Sequence, residues 1–178
     1  IVIGANANAQ PRRLLAFSLR SLFYFRFCLC GCHVERYKYS QDVLGVILGG
    51  MMSSRLFIEV REKLGVAYYV RTSADANPDT GFLMSQAGVD NRNVEKAVAT
   101  IMREYRKISK EKVPAPELQK AKDHIKGKMA LLLEASDELA AFYGLQELME
   151  KQVLNLKEVY NKIDGVLQED VLRAARDI

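Results

Sequence analysis

The chain has 178 residues, 49% of them apolar and 27% charged, with a formal net charge of +4. This is the length and composition of a single globular domain able to bury a sizeable core. Lys and Arg interleave with Asp and Glu, which argues against a nucleic-acid-binding face, and no uncharged run approaches the length of a membrane-spanning helix.

The first residues, "IVIGANANAQP", are a short apolar run and a small-polar loop ending at Pro11. Residues 12–22, "RRLLAFSLRSL", have helical spacing with arginines to one side, but so short a run is ambiguous. Residues 23–30 are aromatic and apolar and predict a core β-strand. Cys28, Cys30 and Cys32 alternate, so in a strand they would share one face. With His33 they suggest a metal cluster. Structural zinc sites, however, usually draw ligand pairs from two places, and no second cysteine cluster exists, so buried free thiols are the simpler role. The same stretch, basic then apolar and ending "LCGC", also has the outline of a signal peptide with a lipid-accepting Cys32. Arg20 and Arg26 interrupt its apolar run. A cytoplasmic protein is therefore favoured over a secreted or lipid-anchored one, and residues 1–33 are read as an atypical segment supplying an edge or core strand.

From Tyr39 the pattern clears. "SQDVLGVILGG" predicts a helix capped by Ser40 and stopped by Gly49-Gly50. "SSRLFIEVREKLG" predicts a second, capped by Ser53 or Ser54, burying Leu56, Phe57 and Val60, and ended by Gly65. "VAYYVRTSAD" and "TGFLMSQAGVD" are β-rich runs joined by a turn of Asn77, Pro78, Asp79 and Gly81, hence a hairpin. An amphipathic helix follows over Val94–Ser109, then the linker "KEKVPAPE". A long helix runs from Pro116 to about Gln152, bent or broken near Ser136 or Gly144. Two short amphipathic helices, near "NLKEVYNKI" and "QEDVLRAARDI", come last. The order is strand, helix, helix, two hairpin strands and then only helices, which predicts an α+β domain, its sheet largely antiparallel with helices on one face. Residues 34–178 carry that domain, and a further strand is expected past Ile178.

Self-contained catalytic machinery is missing. The histidines are His33 and His124, and neither sits in H-E-x-x-H or H-x-x-E-H. His124, mid-helix beside lysines, reads as a solvated surface residue. Gly49-Gly50 with Ser53-Ser54 lacks the lysine of a P-loop, and no G-x-S-x-G is present.

The stretch "LGVILGGMMSSRLFIEVREKLGVAYYV" closely resembles the second-half domain of the pitrilysin, insulinase and mitochondrial-processing-peptidase type of zinc metallopeptidases. The resemblance is carried by Leu48, Gly49, Gly50, Ser53, Ser54 and Arg55-Leu56-Phe57, then by Arg61-Glu62, Gly65, Ala67 and Tyr68. It extends over roughly Val34 to Ile178. It implies a half-domain without zinc ligands, hence no catalytic or metal residue and no cofactor in this chain. Zinc is expected in a partner half carrying H-x-x-E-H, supplied by the same polypeptide or by a separate subunit, in a dimer-like assembly closed on a peptide. Whether the chain counts as an enzyme is therefore left open.

The resemblance further implies that Arg61 and Tyr68 face the substrate. A guanidinium and a phenol both donate hydrogen bonds, which suits a peptide carbonyl or the oxyanion derived from it. The strand beginning at Tyr68 also offers edge pairing to extended peptide. Strand alternation would turn Tyr69 to the opposite face. The residues alone leave plainer alternatives: Arg61 paired with Glu59 or Glu62, and Tyr68 an ordinary core aromatic. For the whole chain the alternative is a degenerate scaffold or assembly subunit of the same fold, which would not need the pair.

Overall fold

The computed structural model describes the backbone of residues 2–5, 13–19, 22–29, 34–76, 81–150 and 152–177, and the side chains of 38–74, 83–148 and 152–177. Strands β1 (Val2–Ala5), β2 (Arg13–Leu19) and β3 (Leu22–Leu29) pair with one another. β2 is antiparallel to both neighbours, and β1 and β3 are parallel. The helical spacing within residues 12–22 thus belongs to a strand: an eleven-residue apolar run does not fix its own period, and pairing on both sides decides it. The side chains of Cys28, Cys30, Cys32 and His33, and the turn residues Asn77, Pro78 and Asp79, lie outside the described residues.

Helix α1 (Val34–Gly45) runs on into a π-helical turn, Val46–Gly50. It starts six residues before the expected cap. Ser40 is buried within it, and Tyr39 packs on the core, so packing sets the start and the capping signal is overridden. The helix does stop at the glycine pair. After a short loop, a turn of α-helix at Arg55 and Leu56 opens into a π-helix, Phe57–Lys63. Neither serine caps it in the expected way: the Ser54 hydroxyl is buried with no hydrogen-bond partner among the described residues, and the Ser54 carbonyl accepts from the Ile58 amide at 3.0 Å. Gly65 ends the segment in a left-handed conformation, φ 64°, as the sequence predicts.

Strands β4 (Ala67–Ala76) and β5 (Gly81–Val89) form the expected antiparallel hairpin, with β3 running alongside β5. Their inward residues Val70, Leu83 and Ala87 pack with Leu44, Ile47, Leu48, Leu56 and Val60 of the preceding helices. From the other elements, α2 (Val94–Ile108) contributes Ala97, Ile101 and Ile108 to the same core. Its apolar stripe at helical spacing made it legible in the sequence.

The long helix expected from Pro116 is two: α3 (Ala115–Leu132) and α4 (Ser136–Glu150). The break falls beside Ser136, and Gly144 passes through the middle of α4 without one. Helices α5 (Leu156–Asp164) and α6 (Gln168–Arg176) complete the described chain. Asn155 and Glu158 cap α5 reciprocally, at 3.0 and 2.8 Å. The result is an α+β domain, as expected.

Candidate functional site

The segment from Gly49 to Val70 folds as π-helical turn, loop, π-helix, glycine turn and strand. π-helical turns widen the backbone ladder and occur disproportionately at functional sites. Arg61 lies in the last turn of the π-helix and is exposed, its guanidinium carbon 4.8 Å from the centroid of the Phe57 ring. The stack orients the cation while leaving its N–H groups unspent. The expected ion-pair alternative is not realised. Glu59 is held instead by Lys63 at 2.6 Å and Arg103 at 3.2 Å, and Arg61 joins no ion pair among the described residues. The Lys63 hydrogen bond, the first of several causes, holds the Glu59 carboxyl below its usual range.

Tyr68 is 74% exposed and so is not a core aromatic. A β-bulge explains why. Ala67 pairs with Val89 and Tyr69 with Gly88, leaving Tyr68 as the extra residue on β4. Ala67 and Val70 both point inward across this insertion, so strict alternation is broken between them. Tyr69, half-buried, is therefore not the opposite-face neighbour that a regular strand predicts.

The turn joining the two residues is closed by the Val66 amide, which donates to the Val60 carbonyl at 3.4 Å. Arg61 is the first residue inside this closed loop and Tyr68 the second beyond it. Standard bond lengths then limit their Cα atoms to about 15 Å apart, within the joint reach of an arginine and a tyrosine.

Beneath β4 the supporting structure is tightly fitted. The Gly49 backbone meets Thr72, whose hydroxyl is hydrogen-bonded to Ser85 at 2.7 Å, and Ser85 to the Tyr105 hydroxyl at 2.7 Å. Burial pushes the Tyr105 phenol well above its ordinary range, and the bond to Ser85 offsets this only in part. The loop is tied from its other side. Arg55 makes a two-pronged pair with Glu117 at the start of α3, both contacts at 2.8 Å, while its Nη1 is buried with no partner among the described residues. The hydrogen bond to Glu117 is the main reason its guanidinium is held still more firmly protonated, against the opposing effect of burial. Gly49 and Arg55 stood out by resemblance, but Thr72, Ser85, Tyr105 and Glu117 did not, since these hydrogen bonds join residues 13 to 62 positions apart.

Among the described residues no group of three or more His, Cys, Asp or Glu is arranged to hold a metal ion. His124 is half-buried in α3, far in sequence from any second histidine. The described residues do not fit a zinc site, and no step through a metal is assigned to them. Among the same residues no helix is long and apolar enough to cross a membrane.

A family model described as "Peptidase M16 inactive domain" matches residues 18–125. The chain is 31% identical over 140 residues to a Bacillus subtilis protein named "Uncharacterized zinc protease YmxG", covering 79% of this chain and 34% of that protein. It is 28% identical to the same organism's "Probable inactive metalloprotease YmfF", covering 77% of this chain and 32% of that one. It therefore spans about a third of the length of these relatives. In fold it is similar to a chain of "Complex III2 from Candida albicans", with a TM-score of 0.78 at 17% identity over 97% of this chain and 45% of the other. The glycine pair, the Arg-Leu-Phe turn and the Arg61–Tyr68 stretch all lie inside the matched region, and the chain belongs to the family of peptidase M16 inactive domains.

Proposed function

We propose that this domain is the non-catalytic half of a zinc metalloendopeptidase, binding and orienting a peptide for a partner half that carries the zinc site. Arg61 and Tyr68 are the residues that touch the peptide. The observation that carries this reading is that both are exposed hydrogen-bond donors at the ends of one closed turn, neither consumed by an ion pair or by the core. Fixed donors gain most when a carbonyl oxygen becomes an oxyanion, because they need no reorganisation at that moment.

In this scheme the chain's own residues hold the scissile carbonyl and leave water activation to the partner. Arg61 contributes a permanent charge, kept in place by the Phe57 ring. Tyr68 contributes a single O–H, turned outward by the bulge. The experiment is reconstitution with an H-x-x-E-H half: the pair cleaves a peptide that neither half cleaves alone. A stable pair that cleaves nothing, even with zinc bound to the partner, favours the scaffold alternative.

A further inference from the structure

We propose that α4, together with the end of α3, is a docking surface for a basic amphipathic helix of a protein partner. Large apolar side chains exposed to water concentrate here: Leu131 is 72% exposed, Leu145 59% and Leu148 78%. Leu132 and Leu139 are also exposed. Scattered single apolar residues are ordinary on a surface, but Leu145 and Leu148, three residues apart, share one face of α4, and such an exposed pair marks an interface.

The pattern of α4 points the same way. Helices α2, α5 and α6 each have one apolar side, which they bury. α4 has no such single side: Ala141, Leu145 and Leu148 lie on a different side from Phe142 and are exposed. Among the described residues one side is packed. Phe142 packs against the small cluster of Leu154, Val159 and Ile163, and Gln146 exchanges hydrogen bonds with the Leu154 backbone. At 3.6 residues per turn, Leu145 and Leu148 lie well round the helix from that contact.

Charge selects the occupant. From Met129 to Glu150 the sequence has five carboxylates and no Lys or Arg, in a chain whose net charge is +4. Glu134, Asp137, Glu138 and Glu147 form no ion pair with any described residue. A second copy docking by the same face would set these carboxylates against their own kind, and an anionic membrane would be repelled. A helix with leucine-class residues flanked by Lys or Arg satisfies both the apolar area and the charge. The relatives have about two thirds of their length outside the matched region, which is room for such a helix.

The test is fluorescence anisotropy on the full chain with two labelled helical peptides of identical leucine positions, one Leu/Lys and one Leu/Glu. The Leu/Lys peptide is expected to bind at least about tenfold more tightly, and its affinity to fall with added salt. Leu145→Ser with Leu148→Ser should weaken it about tenfold or more. Asp137→Lys with Glu138→Lys should reverse the preference between the peptides. All four residues are exposed, so circular dichroism should report an unchanged fold. Equal binding of both peptides overturns the proposal, as does binding that survives the leucine changes. A dimer in sedimentation velocity that Leu148→Ser dissociates, or equal capture by phosphatidylglycerol vesicles, assigns the face to another occupant and overturns it too.

Discussion

Gly49 stands directly against Thr72 of β4: a Cβ at Gly49 would overlap the Thr72 hydroxyl and come within 2.7 Å of its backbone nitrogen. The glycine pair that reads in the sequence as a helix stop is thus also a contact point, where the π-helical turn crosses the strand with no room for a side chain. Gly49→Ala should destabilise by about 1–3 kcal/mol or more, from overpacking against backbone. Gly127 and Gly144 lie in α3 and α4 with open space where a methyl group would stand, so Ala there should instead stabilise by about 0.5–1 kcal/mol each. Urea unfolding midpoints of the three variants check the opposite signs.

Tyr105 makes stability depend on pH in the alkaline range. Its phenol is raised in the folded state, so the neutral form is the one the fold favours. The contribution is fully present below the unfolded value of about 10 and is lost as pH rises from there towards the folded value. Thermal unfolding followed from neutral to alkaline pH should show this decline. Tyr105→Phe should reduce the decline, while costing about 1–3 kcal/mol at neutral pH because the buried Ser85 hydroxyl loses a partner.

The Arg55–Glu117 pair fastens the loop to α3 with both side chains mostly shielded, 15% and 25% exposed. Glu117→Ala leaves a poorly solvated cation and should cost about 2–3 kcal/mol. Replacing both residues together, Arg55→Met with Glu117→Leu, should cost less than the sum of the two single changes, since no orphaned charge remains. Chemical denaturation of the double-mutant cycle measures the difference.

Metal should make no contribution to the domain by itself. Elemental analysis of the purified chain should find well under one zinc per molecule, and a chelator should leave its melting temperature unchanged. A tight zinc lost on replacing Cys28, Cys30 and Cys32 would revive the cluster reading and place a metal in the N-terminal segment.

The hairpin, α2 and the two short final helices were legible because each has a local signature: turn residues for the hairpin and an amphipathic 3.6-residue spacing for the helices. The start of α1 was not, because Ser40 looks like a cap and is in fact buried. The strand at Arg13–Leu19 was ambiguous because its pairing partners, not its spacing, decide its state. At the site, Arg61 and Tyr68 were picked out by resemblance, and their exposure agrees with availability to a ligand. The bulge at Tyr68 was invisible, since an extra residue in one strand is defined only against its partner, here Val89 and Gly88. With the bulge, Tyr69 is not the opposite-face neighbour of Tyr68 and cannot serve as a control for it. Tyr160 replaces it: its hydroxyl donates to the Lys126 carbonyl at 3.1 Å, bridging α5 and α3 away from the turn.

The most direct measurement is the turnover of Tyr68→Phe in the domain assembled with its zinc-bearing half. The substitution keeps the ring and removes one O–H from a residue already exposed, so the melting temperature should not move. If that O–H meets the developing oxyanion, kcat should fall about a hundredfold or more, Arg61→Ala should do likewise, and Tyr160→Phe should leave kcat unchanged. Full turnover by Tyr68→Phe and Arg61→Ala in a stable, zinc-loaded assembly would contradict the assignment and leave the exposed pair a feature of the fold alone.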